Sequence, residues 1–184
     1  MKRLLLLLFL IGIPGVAASQ SLEKYYVSGT STQELSASIK RLGPRDATGS
    51  TLISWEYSYS HHRSNRISRA VNPVVTRDLK FRMPYWAGYH SGSACLQRSW
   101  SAMYASLSRH EIKHALISDG VKEKVEKAIL SVGPQRSGAN LERAVKRAVD
   151  KVFRAHSAAQ KKFDRDTKHG AEDPADPIVF KNCS

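Results

Sequence analysis

Ser108-Arg109-His110-Glu111-Ile112-Lys113-His114 is the stretch from which the rest of the chain can be read. Steps of three and four residues from His110 reach Leu107, Met103, Trp100 and Leu96 in one direction, and His114, Ile117 and Val121 in the other. That is the period of an amphipathic α-helix, and it predicts a helix over 96–118 with both histidines inside its apolar stripe. Ser106, Arg109 and Lys113 fall toward other sides. Two imidazoles four residues apart stand one turn apart on one face and can ligate one Zn²⁺. Glu111, between them, is placed beside such a metal, where its carboxylate can take a proton from a water as general base. The plainer reading is two buried histidines satisfied by hydrogen bonds, with Glu111 paired to a Lys or Arg. The register of the pair in the core-facing stripe favours zinc.

A zinc that performs chemistry takes three protein ligands and keeps one position open. Ala115 to Gly120 contain no histidine, so the third ligand comes from farther along the chain. His169 is the first candidate, in Phe163-Asp164-Arg165-Asp166-Thr167-Lys168-His169-Gly170, after a long helical pattern and before a helix-stopping glycine. His156 competes from the stripe Val149, Val152, His156, Ala159 and Phe163, where a core or boundary histidine is the plain reading. Asp164 and Asp166 are further candidates, as ligands, as acceptors for an imidazole N–H, or simply as helix-end charges.

Outward from this helix the pattern is mixed. Tyr25–Ser28 is short and β-prone, and Ser31–Leu42 has helical spacing that stops at Gly43-Pro44. Leu52–Tyr59 alternates, with Ile53, Trp55, Tyr57 and Tyr59 on one face. His61–Ser68, polar and basic, reads as a hairpin connection or a mobile loop. Val74–Met83 alternates again, with a charged second face, and Tyr85–Ser93 reads as a loop rich in glycine and aromatics. A second short helix is expected over 121–130, and a long amphipathic one over about 140–163. A small β/α start, then strands, then helices implies an α+β fold in one domain over 20–170, followed by an irregular tail over 171–184.

The composition narrows function by exclusion. The chain is 41% hydrophobic and 24% charged, enough for a packed core. Two cysteines exclude a disulfide-dense scaffold, an all-cysteine zinc module and a cysteine-ligated iron–sulfur protein. No Gly-rich phosphate loop is present. Lys2 and Arg3, the apolar run Leu4–Ile13, Pro14-Gly15 and the small residues Ala17, Ala18 and Ser19 read as a signal peptide over 1–19. The run is too short for a lasting membrane anchor. The expected location is therefore periplasmic or extracellular, where Cys95 and Cys183 are free to form one intramolecular disulfide. Removing Lys2 and Arg3 lowers the net charge of +13 by two, to +11. Arg143, Lys146, Arg147, Lys151 and Arg154 recur along the long helix, a solvated face that can also attract an acidic or polyanionic envelope component. No nucleic-acid motif is present.

Several stretches carry a family resemblance. Tyr26-Val27-Ser28-Gly29-Thr30, the helix stop Gly43-Pro44, Trp55, Pro84-Tyr85-Trp86, Trp100 with His110-Glu111-Ile112-Lys113-His114, and Phe163 to Gly170 together resemble the predicted secreted zinc-dependent proteases, domain of unknown function 922. The closing stretch resembles that family's Tyr-Asp-x-x-Thr-x-His-Gly, with Phe163 where tyrosine is usual. The resemblance implies a single zincin-like domain, with a small antiparallel or mixed sheet packed on the active-site helix and a second long helix. It also implies a Zn²⁺ metallopeptidase with His110, His114 and His169 as metal ligands, Glu111 as general base, and a peptide or protein substrate. In such folds the substrate lies along a sheet edge, and the Val74–Met83 strand is the expected edge. The alternatives are an inactive metal-binding protein and a non-catalytic basic envelope-binding module.

Overall fold

The structure is a computed structural model in which residues 19–45 and 47–183 are described. The signal-peptide reading falls on residues outside that range except at Ser19. The elements run β1 (Ser19–Val27), α1 (Thr32–Leu42), β2 (Ser50–Ser64), β3 (Ile67–Trp86), a 3₁₀ turn (Tyr89–Ser91), α2 (Ala94–Ile117), α3 (Val121–Leu130) and α4 (Gly138–Thr167). The fold is α+β. Its three-stranded sheet is mixed, in the order β1-β3-β2, with β1 parallel and β2 antiparallel to β3.

Local chemistry sets the element ends. Ser31, Ser93 and Ser137 cap α1, α2 and α4, each side chain accepting from the backbone N–H three residues on. The alternation expected over 52–59 is kept in β2, where Ile53, Trp55, Tyr57 and Tyr59 turn inward and Leu52, Ser54, Glu56 and Ser58 outward.

The basic segment His61–Ser68 is the hairpin connection rather than a loose loop, and it is paired almost to its tip, His61 with Ala70 and Ser64 with Ile67 around a turn at Asn65-Arg66. Both turn residues have positive φ, 46° and 63°, the geometry whose twist matches two antiparallel strands. The expected sheet edge is corrected: the Val74–Met83 segment belongs to the central strand β3, hydrogen-bonded on both sides, so β1 and β2 are the edges. Strand order is set by pairing across the sheet, which alternation within one strand does not report. A bulge between Ser58 and Ser60 of β2 places one extra residue on β3, where Asn72 takes φ 50° just before Pro73, which has no N–H to lose from the ladder.

Two apolar clusters hold the domain. The first joins Tyr25, Val27, Leu35, Ile39, Met83, Trp86, Leu96, Trp100, Met103 and Leu107. The second joins Ala70, Val75, Val121, Val125, Ile129, Leu141, Val145 and Val149. The His110–His114 turn lies between Leu107 of the first cluster and Val121 of the second. Among the described residues the tail after α4 has no helix or strand, and it docks. Phe180 packs on Trp100 at 6.0 Å, and Cys183 is bonded to Cys95 with Cα atoms 5.8 Å apart. Ser106, off the apolar stripe, is nevertheless buried: its hydroxyl meets Asp176 of the tail at 2.5 Å. Arg109 also binds Asp176, and Lys113 binds Asp173 at 2.8 Å, so the polar flank of α2 is the seat of the tail.

Candidate metal centre

The site is built where α2 faces the C-terminal half of α4. His110 and His114 are 4% and 9% exposed, and their Nε2 atoms are 3.3 Å apart. Asp164 of α4 brings Oδ1 to 2.9 Å from His114 Nε2 and 3.5 Å from His110 Nε2. One ligand atom from each of the three residues lies within 4.8 Å of the others. Two imidazole nitrogens and a carboxylate oxygen turned toward one point repel each other unless a proton or a metal ion is shared among them. Nitrogen and oxygen donors in this mixture fit Zn²⁺ and related divalent ions.

Phe163 covers the pair, stacked on the His110 ring at 4.7 Å and edge-on to His114 at 5.0 Å. Burial, and the neighbouring His114, push the His110 pKa down and keep its ring neutral, the form that offers a lone pair. His110 Nδ1 is buried without a partner, so Nε2 is the nitrogen through which this ring meets other polar groups.

The other sequence candidates take different places. His169 is at the rim, its side chain 57% exposed and its Nδ1 3.6 Å from Asp164 Oδ1; it stands outside the tight three-residue group. Its position comes from the end of α4, where Lys168, His169 and Gly170 all have positive φ and turn the chain back. Gly170 is required there twice over. Its φ is +82°, and a Cβ would lie 2.3 Å from Ile178 Cδ1 and 3.1 Å from His110 Nδ1. Asp166 points away and pairs with Lys162. His156 lines the cleft, edge-on to Trp55 at 6.0 Å.

Glu111 is buried on the same turn as the histidines, 4% exposed. Thr51 of β2 donates its hydroxyl to Glu111 Oε2 at 2.7 Å. Burial pushes the Glu111 carboxyl pKa up, and the Thr51 hydroxyl and the nearby His114 pull it partly back. A carboxyl raised this way holds a proton more readily than an exposed one, which suits a group that must take a proton and give it up again. Gly49 lets β2 come close, since a Cβ there would sit 3.1 Å from Glu111 Oε1 and 3.0 Å from Leu107 Cδ1. The resulting cleft, about 400 Å³, has Ala47–Thr51 and Ile53 on one wall, His110, Glu111 and His114 on the floor, and His156, Gln160, Asp164 and His169 on the other wall.

Two residues of this site were not singled out by sequence reasoning. Gln160 bridges His114 and His156, with Oε1 2.6 Å from His114 Nδ1 and Nε2 2.9 Å from His156 Nε2. A signal for it existed: His156, Gln160 and Asp164 are four residues apart on one helix and share a face. Thr51 has no local signal, because its partner is sixty residues away.

The family model described as "Bacterial protein of unknown function (DUF922)" matches residues 22–170. Neither a curated protein nor a solved structure matches the chain.

Proposed function

This chain belongs to that bacterial family, and we propose that it is an exported, zinc-dependent peptidase. One observation carries the reading: Glu111 and the His110–His114–Asp164 group open into the same cleft, beside an edge strand of the sheet. Zinc held by His110 and His114, with Asp164 or His169 as the third ligand, would supply a Lewis acid able to polarise a carbonyl and acidify a water. Glu111 would accept a proton as general base in this cleft, and Thr51 holds its carboxylate in place. The outer edge of β2 at Ser50–Ile53 offers backbone groups to an extended peptide, so this edge takes the role first expected of Val74–Met83. The exposed cations Arg143, Arg147, Lys151 and Arg154 on α4 favour acidic substrates or a polyanionic envelope component. Export is supported by the leader-like sequence and by the Cys95–Cys183 bond, which persists in oxidising compartments. Among the described residues no helix is long and apolar enough to cross a membrane.

A second reading has its own observation. Asp164 already faces His110 and His114, and His169 stands beside it with Nδ1 3.6 Å from Asp164 Oδ1; were His169 to swing in as well, four protein ligands would close the metal to substrate. The protein would then bind metal without catalysis. The test is zinc content and peptide hydrolysis for the wild type and for Glu111→Gln, His110→Ala, His114→Ala, Asp164→Ala and His169→Ala. The peptidase reading expects about one zinc per chain, lost in both α2 histidine variants and in whichever of the Asp164 and His169 variants removes the third ligand. Glu111→Gln should keep the zinc and lose hydrolysis by roughly 10²–10⁴-fold. Zinc without hydrolysis by the wild type selects the second reading, and a wild type that takes up no zinc overturns both.

A further inference from the structure

The amide of Gln160 has only one orientation that its surroundings accept. Its Nε2 lies 2.9 Å from the backbone carbonyl oxygen of His114 and donates to it. Rotating the amide by half a turn would set two carbonyl oxygens against each other, so the carbonyl Oε1 must be the atom that faces His114 Nδ1 at 2.6 Å. Oε1 only accepts, and His114 Nδ1 therefore carries the hydrogen. In the neutral ring the lone pair is then on Nε2, the atom turned toward His110 and Asp164. The second hydrogen of the Gln160 amide goes to His156 Nε2 at 2.9 Å, so all three polar contacts of the side chain are satisfied together.

We propose that Gln160 is the positioning residue of the metal centre: it sets the His114 tautomer and aims its Nε2 lone pair at the metal. This rests on the metal-site reading above for its consequence, but not for its geometry. His156 plays a supporting part by holding the amide from behind. A metal-bound histidine needs a partner for its other ring nitrogen, and removing such partners typically lowers metal affinity by about 10–100-fold.

Two variants separate this role from packing. Gln160→Leu keeps the bulk and loses every polar contact. Gln160→Glu keeps an acceptor for His114 Nδ1 but loses the N–H bonds to the His114 carbonyl and to His156. The readouts are the His114 tautomer in the metal-free protein, from ¹⁵N-edited long-range NMR, and zinc affinity by chelator competition. The wild type should show the Nδ1–H tautomer. Gln160→Leu should mix tautomers and weaken zinc by about 10–100-fold, while Gln160→Glu should retain the tautomer and bind zinc within a few-fold of the wild type. If Glu is as damaging as Leu, Gln160 acts by tying α4 to the α2 backbone and the proposal fails. It also fails if His114 is Nε2–H in the wild type, or if its tautomer is unchanged in Gln160→Leu. A wild type that binds no zinc overturns the metal centre, and the tautomer measurement still decides Gln160.

Discussion

Replacing both cysteines, Cys95→Ala with Cys183→Ala, isolates what the tail contributes. The bond joins the N-terminal turn of α2 to the end of the chain across 88 residues of sequence. Loop-closure entropy for a ring of that size, 2.1 plus 1.5R ln 88, is about 15 cal/mol/K, or about 4.6 kcal/mol at 25 °C. The Phe180–Trp100 contact and the ion pairs of Asp173 and Asp176 can still form in the variant, so most of the loss should come from this chain-entropy effect. Urea unfolding followed by tryptophan fluorescence, with ΔG extrapolated to water, gives the difference directly. By heat, about 2–4 °C per kcal/mol for a chain of this size gives a melting point lower by roughly 9–18 °C. The secondary structure of the folded variant should be unchanged, since Cys95 sits in the first turn of α2, which Ser93 caps independently of the bond. A loss under about 1 kcal/mol would refute the reasoning, because the unfolded chain would then gain almost nothing from being released.

Other outcomes follow from the site and its supports. Gly170→Ala should lower stability by about 1–2 kcal/mol for the left-handed backbone alone, with more from the clash with Ile178, and should weaken zinc binding through His110; thermal melts and metal titration check this. Thr51→Val removes the hydroxyl that lowers the Glu111 pKa, so, on the proposed peptidase reading, the acid limb of the pH profile should move to higher pH; an unmoved limb would remove Thr51 from that proposal. Asp176 is held down to about 2, first by Arg109 and then by Ser106, and Asp173 is lowered chiefly by Lys113. A carboxyl whose folded pKa is depressed stabilises the fold above its ordinary pKa, and that contribution is lost as pH falls. The Asp173–Asp176 segment should therefore loosen from α2 between about pH 4 and pH 2 while Cys183 stays bonded to Cys95, seen as a change in tryptophan fluorescence that Asp176→Asn shifts or removes.

Much of the site's inner half was legible because it is local. His110, Glu111 and His114 sit within five residues, and helical period alone puts the two rings on one face. The turn after Leu42, the bounds of α3 and the inward set of β2 are likewise decided within a few residues. One intramolecular bridge between the two lone cysteines was the favoured expectation, against free thiols or an intermolecular bond; the docking of the tail, which brings their Cα atoms to 5.8 Å, decided it. What local pattern cannot carry is which distant surfaces meet. Asp164 was one candidate among several until α4 was seen to lie against α2, and His169 is placed at the rim by three successive left-handed residues.

Helical spacing places His110, Glu111 and His114 on one turn, because a period of 3.6 residues needs no partner to be read. Tertiary structure alone decided that β3 is the central strand, that Asp164 and Gln160 face the histidines, and that Thr51 reaches Glu111. The reason is physical: periodicity fixes direction within an element, whereas proximity between elements is the outcome of packing two apolar clusters and pairing three strands at once.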